Sequence, residues 1–104
     1  MRGIVWAVDF NTGCKKLEQI IQSYKRFNHF TIELKKTKSE YVVIFDNGDY
    51  WRVARAFEGS RGYKCNISYI DQRIPADFIN TIIQPATIAA PWHGFCYFDG
   101  GIDE

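Results

Sequence analysis

Residues 41–71 read YVVIFDNGDYWRVARAFEGSRGYKCNISYID, and this stretch decides the fold. Asn47-Gly48 lies between two strand-like runs, and a two-residue Asn-Gly loop favours the type I′ turn a hairpin needs. With that loop, Asp46 faces Asp49, Phe45 faces Tyr50, Ile44 faces Trp51 and Val42 faces Val53. One face then carries Val42, Ile44, Trp51 and Val53, an apolar cross-strand cluster. The other carries Tyr41, Val43, Phe45, Tyr50 and Arg52, so the hairpin should be covered on much of both sides.

Upstream, residues 3–10 read as an interior strand, with Ile4, Trp6, Val8 and Phe10 on one face and Val5, Ala7 and Asp9 on the other. A helix is expected over 13–27, capped by Thr12, with an apolar stripe of Leu17, Ile20, Ile21, Tyr24 and Phe27. Phe30, Ile32 and Leu34 alternate with Thr31, Glu33 and Lys35, which predicts a half-buried strand. Residues 30–56 thus make an antiparallel meander, with Glu40 opposite Arg55 on its rim. Downstream, 64–70 is a strand ending in Asp71. Pro75 begins a helix over 76–84 whose stripe is Phe78, Ile79, Ile82 and Ile83, and Pro85 stops it. Residues 95–98 suit a short edge strand, and 100–104 an acidic tail.

The 104 residues are one domain by size, enough to bury roughly two-thirds of the unfolded surface. Two helices, each with one apolar stripe, imply an α+β domain of two layers on a mixed or mainly antiparallel sheet of about five strands. A net charge of +1 excludes a strongly basic nucleic-acid binder and an acidic mimic, though local patches remain open. Cys14, Cys65 and Cys96 are odd in number and have no zinc spacing, which suits buried thiols in a reducing cytoplasm. No stretch is long and apolar enough to span a membrane, so no membrane partner is expected.

Three segments carry candidate chemistry. Asn11, Thr12, Gly13, Lys15 and Lys16 form a strand-to-helix turn with lysines in the first helical turn, where free N–H groups and a cation can cradle a phosphate. The plain alternative is an exposed lysine pair. The strand ending at Asp71 could hold magnesium, and Gln72 follows it, a residue that orients water but cannot take its proton. A basic set of Lys35, Lys36, Lys38, Arg52, Arg55, Arg61 and Lys64, with Tyr63, has the mixture of cation and ring that nucleic-acid readers use. The alternative is a solvated lysine turn with interior aromatics. His29 follows a helix end; His93 lies in the loop PWHGF beside Trp92, and a pairing of Cys65 or Cys96 with His93 has no supporting spacing.

The run FDNGDYWRVARAFEGSRGYKCNISYIDQ, after a strand, a lysine-bearing turn and a helix, resembles the ATPase core of phage large terminase subunits. That family shows a strand pair around an Asn-Gly-Ser turn, an Arg-Gly, then a strand ending in Asp-Glu. The likeness covers residues 43–72, and 4–27 loosely. Here the first Walker A glycine is Val8, the Gly-Lys-Thr is missing, and Gln72 stands where the catalytic glutamate would be. The resemblance implies a phage or prophage origin and a degenerate core. It also implies parallel neighbours in strands 3–10 and 64–70, but no ATP hydrolysis.

The leading expectation is a non-catalytic binding protein acting on a macromolecular partner, most simply a protein, with no resident cofactor. One alternative is a degenerate binder of phosphate or magnesium-nucleotide at Asn11–Lys16 and Asp71. The other is a nucleic-acid module. A homo-oligomer through the 95–98 edge and Trp92 is also open.

Overall fold

In the computed structural model, which describes residues 1–56, 63–87 and 94–99, β1 (Arg2–Ala7) is the central strand because both its faces are apolar. Ile4, Val5, Trp6 and Ala7 are all buried. It lies parallel to β4 (Tyr50–Arg55) on one side and to β5 (Ile67–Asp71) on the other. An antiparallel meander of β2 (Thr31–Lys36), β3 (Tyr41–Phe45) and β4 extends one flank. A parallel edge strand, β6 (Phe95–Phe98), extends the other. The sheet is mixed and six-stranded, in the order β2-β3-β4-β1-β5-β6.

The α+β class and the mixed sheet expected from the sequence are what the fold has, and β1 and β5, parallel neighbours only by implication of the terminase resemblance, do pair in parallel. The layering differs. Val5, Val53, Val43, Phe45 and Trp51 pack against Leu17, Ile20 and Ile21 of α1 (Phe10–Arg26). On the other side of the sheet, Ile4, Trp6, Ala54 and Ile70 pack against Ile83 and Ala86. Those two residues belong to a helical segment that starts as α2 (Ala76–Phe78), widens to a π-helix (Ile79–Ile83) and ends as α3 (Gln84–Ala86). The expected two layers are therefore three, because alternate residues of β1 and β4 are apolar on both faces. Pro85 lies inside the helical segment rather than after it. Its ring would meet the carbonyl four residues back in a regular α-helix, and the π stretch just before it relieves that crowding.

The hairpin loop is one residue longer than the Asn-Gly reading gives. Phe45 accepts the Gly48 N–H at 2.9 Å and donates to the Asp49 carbonyl at 2.9 Å, so Asp46, Asn47 and Gly48 form a three-residue loop. Gly48 has φ +89°, the left-handed position such loops require. The Asn47 Oδ1 accepts the Asp49 N–H at 3.0 Å and fixes the longer loop. Val42 now faces Arg52, Val43 faces Trp51 and Ile44 faces Tyr50. One residue of slip exchanges the faces: Tyr41, Val43, Phe45, Trp51 and Val53 all turn to α1. A Cβ on Gly48 would meet nothing within 4 Å, so Gly48→Ala carries only a backbone penalty. The expected cost is about 1–2 kcal/mol, read as a lower urea midpoint at unchanged slope.

Several smaller expectations change. Asp9, not Thr12, caps α1 and accepts the Thr12 N–H at 3.0 Å. Pro75 is itself the cap of its helix, in extended geometry. Glu40 meets Lys35 at 2.8 Å and Arg52 at 3.8 Å, because the register shift moves Arg55 away from it. His29 pairs with Asp46 at 3.0 Å. Phe27, Phe30, Ile32 and Leu34 are exposed, because α1 lies over β1 and β4 and stops short of β2. Cys14 and Cys65 are buried, but Cys96 on the edge strand is exposed. Arg61, Trp92, His93 and the 100–104 tail lie outside the described residues.

Candidate functional site

The chain leaves β1 through α1 toward the meander and returns on the other side through β5 and β6. That reversal puts a switch point at the carboxyl ends of β1 and β5, where open α/β sheets place ligands. A polar cluster stands there. Arg73, in the turn after β5, donates from Nη2 to Asp9 Oδ1 at 2.9 Å, to Thr12 Oγ1 at 3.1 Å and to Asp71 Oδ2 at 2.8 Å. Its Nε reaches Asp71 Oδ1 at 3.1 Å. Asp71 is fully buried and also accepts the Val8 N–H at 3.2 Å and the Arg73 N–H at 2.9 Å. Burial pushes the Asp71 carboxyl up, but the hydrogen bonds from Arg73 and Val8 outweigh it and hold it below the usual carboxylate range. Asp9 is likewise held low: burial raises it, and the Thr12 and Arg73 hydrogen bonds more than offset that.

Of the predicted phosphate set, Thr12 and Asp71 are brought together, bridged by Arg73. Because α1 begins at Phe10 rather than at residue 13, only Asn11 is exposed in its first turn, and the exposed Lys15 falls in the second turn, away from the free N–H groups of the helix start. Gly13 has a packing role: a Cβ there would collide with Val53, so the glycine lets α1 lie close on β4. The Lys16 ammonium sits over the Tyr69 and Phe98 rings at 5.2 and 5.5 Å. The Asp9 carboxylate holds the helix N-terminus where an anion would lie, and a magnesium ion on Asp71 would have to displace Arg73. Among the described residues, no group of three or more His, Cys, Asp or Glu side chains is placed to hold a metal ion. Sequence reading missed Arg73; its one signal is the spacing Asp71-Gln72-Arg73, which lets a turn fold the guanidinium back on the carboxylate.

A second site lies at the opposite end of β1. Arg2, Tyr50, Arg52, Tyr63 and Lys64 line a cleft of about 150 Å³ over Gly3 and Ile4. Arg2 faces Tyr50 across the parallel β1–β4 pair, its guanidinium 5.3 Å from the ring centre. Arg52 stacks over Tyr63 at 4.3 Å and reaches the Tyr50 hydroxyl at 3.5 Å. Its Nε is buried and has no hydrogen-bond partner among the described residues. Planar cations stacked on rings, with donors still unspent, make a site for an anion next to a flat group.

The predicted basic set is split by the fold. Arg52 and Lys64 share the cleft, and Lys35 is linked to Arg52 through Glu40. Lys36 points to the α1 face, onto Glu18 at 3.0 Å and the Tyr41 ring at 4.9 Å. Arg55 is on the face opposite Arg52 by strand alternation. Lys38 is exposed in the turn before β3. Arg2 and Tyr50 were not in that set, since only the β1–β4 pairing, 48 positions apart in sequence, brings them together.

Fold and sites define a class of protein, a three-layer α+β domain with a basic–aromatic cleft. No known family, curated protein or solved structure matches the chain.

Proposed function

We propose that this chain is a small non-catalytic binding protein of phage or prophage type whose macromolecular partner is single-stranded nucleic acid, held at the Arg2–Arg52–Lys64 cleft. The observation that carries the reading is the cleft itself, where three cations and two rings converge. Phosphates satisfy guanidinium donors, and bases stack on Tyr50 or Tyr63 without regard to sequence. The phage assignment rests on the terminase-core resemblance, and a cytoplasmic setting on the free buried thiols of Cys14 and Cys65. No helix of the described residues is long and apolar enough to cross a membrane. The magnesium-nucleotide reading has less support, because Asp9 and Arg73 occupy the switch point.

Fluorescence anisotropy of a labelled oligothymidylate tests the proposal. If the three cations each neutralise one phosphate, log affinity falls against log salt with a slope near roughly −2. Lys64→Glu and Arg2→Ala, both at solvent-facing positions, lower affinity and flatten the slope. Tyr63→Ala weakens binding about fivefold to a hundredfold, the worth of one stacked base. Absence of binding at low salt, or affinity unchanged in Lys64→Glu, sinks the reading.

A further inference from the structure

Among the described residues no strand pairs with the outer edge of β2, and that edge has a pattern the described fold does not use. Ile32 and Leu34 are 59% and 53% exposed, and Phe27 and Phe30 beside them are 76% and 60% exposed. Edge strands are commonly protected by lysines that resist pairing. Here that protection is spent inside the chain: Lys35 is on Glu40 at 2.8 Å and Lys36 on Glu18 at 3.0 Å.

Backbone direction limits what can pair with this edge. The Thr37 N–H donates to the Glu40 carbonyl at 2.8 Å, so odd-numbered residues of the regular part of β2 bond inward to β3. Leu34 and Lys36 therefore present their backbone groups outward. A second β2, placed antiparallel about a two-fold axis, must match outward groups with outward groups. Axes through residues 33, 34 or 35 do so. An axis at Glu33 sets Glu33 against itself, and one at Lys35 sets Lys35 against itself. The axis at Leu34 sets Leu34 against Leu34 on the α1 face and Glu33 against Lys35, twice, on the other. Of the three registers it alone is complementary in charge as well as in hydrogen bonding.

We infer that a second copy of this chain pairs with the β2 edge, antiparallel about Leu34, to make a two-fold dimer with one continuous sheet. Lys35 has three donors, so it can keep Glu40 and take the partner's carboxylate as well. Only a narrow strip is buried, well short of a standard interface, so the dimer is concentration-dependent.

Sedimentation equilibrium of the full chain tests this, with circular dichroism confirming that each variant is folded. The wild type is expected to show a monomer–dimer equilibrium. Glu33→Lys and Lys35→Glu each place like charges opposite one another and raise the dimer dissociation constant about tenfold or more. An equimolar mixture of the two variants restores association, because the heterodimer regains both opposite-charge pairs. A wild type that stays monomeric at every concentration overturns the inference. So does a dimer indifferent to Glu33→Lys, which would lie at another surface such as β6, or a mixture that associates no better than its parts.

Discussion

Arg73→Ala is expected to lower stability by about 3 kcal/mol, the low end of the range for breaking a buried ion pair. The loss is set by Asp71, which is 0% exposed and would keep its charge with only two backbone N–H donors. Arg73 itself is 40% exposed, which is why the low end applies. Asp71→Asn/Arg73→Met should be milder than Arg73→Ala alone, since it removes the buried charge with its partner. Each kcal/mol moves the melting midpoint by roughly 4–8 °C in a domain near this size. The pH dependence fixes the sign. In the wild type the Asp71 carboxyl is held below its ordinary value of 3.8, so its contribution is present above that pH and lost as pH falls through the lowered value. Without the Arg73 guanidinium only the two backbone N–H donors oppose burial, so the carboxyl is held down less strongly and protonation costs the variant less than the wild type. The stability gap is therefore widest at neutral pH and closes toward acid. A gap constant from neutral to acid pH would mean that the ion pair is not what Arg73 contributes.

That cluster also marks the limit of sequence reading. The strand ending in Asp71 was legible because an apolar run stops at an acid. The acid's partner was not, since Arg73 must fold back across a turn to reach Asp9 on a different element. The central place of β1 was legible from apolar residues on both faces of 3–8, as were the stripes of Leu17, Ile20 and Ile21 and of Ile83. The hairpin existed where Asn47-Gly48 put it, but its register depended on one extra loop residue. Asp46 and Asp49 flank the turn symmetrically in sequence, and nothing in composition separates a two-residue from a three-residue loop there. The exposure of Ile32 and Leu34 was hidden for a tertiary reason. Their alternation fits a half-buried strand, and only the position of α1 over β1 and β4 leaves them uncovered. The basic–aromatic cleft was half visible: Arg52, Tyr63 and Lys64 are near in sequence, whereas Arg2 joins them through strand pairing alone.

Trp6→Ala should be the most damaging single change in the second core, at about 3–5 kcal/mol. Trp6 is fully buried, edge-on to Phe78 with ring centres 6.3 Å apart and tilted against Tyr63 at 6.5 Å. It is the side chain on which the 76–86 helical segment and the segment before β5 both rest. Its Nε1 donates to Ser68 Oγ at 3.0 Å. Ser68 in turn bonds Thr87 Oγ1 at 2.7 Å, and Thr87 donates to the Ile83 carbonyl at 2.8 Å. The single Thr87 hydroxyl proton goes to Ile83, so Ser68 is the donor to Thr87, and the chain of protons runs one way and ends on the helix. Trp6→Phe keeps most of the packing and leaves Ser68 its donor role, so it should cost less than Trp6→Ala. Ser68→Ala orphans the buried indole N–H and is expected to cost about 1–3 kcal/mol. In a double-mutant cycle Ser68→Ala should cost less when Trp6 is already Phe, because the orphaned donor is then gone. Equal costs in both backgrounds would mean that the indole hydrogen bond contributes nothing, and that Trp6 holds the helix to the sheet by packing alone.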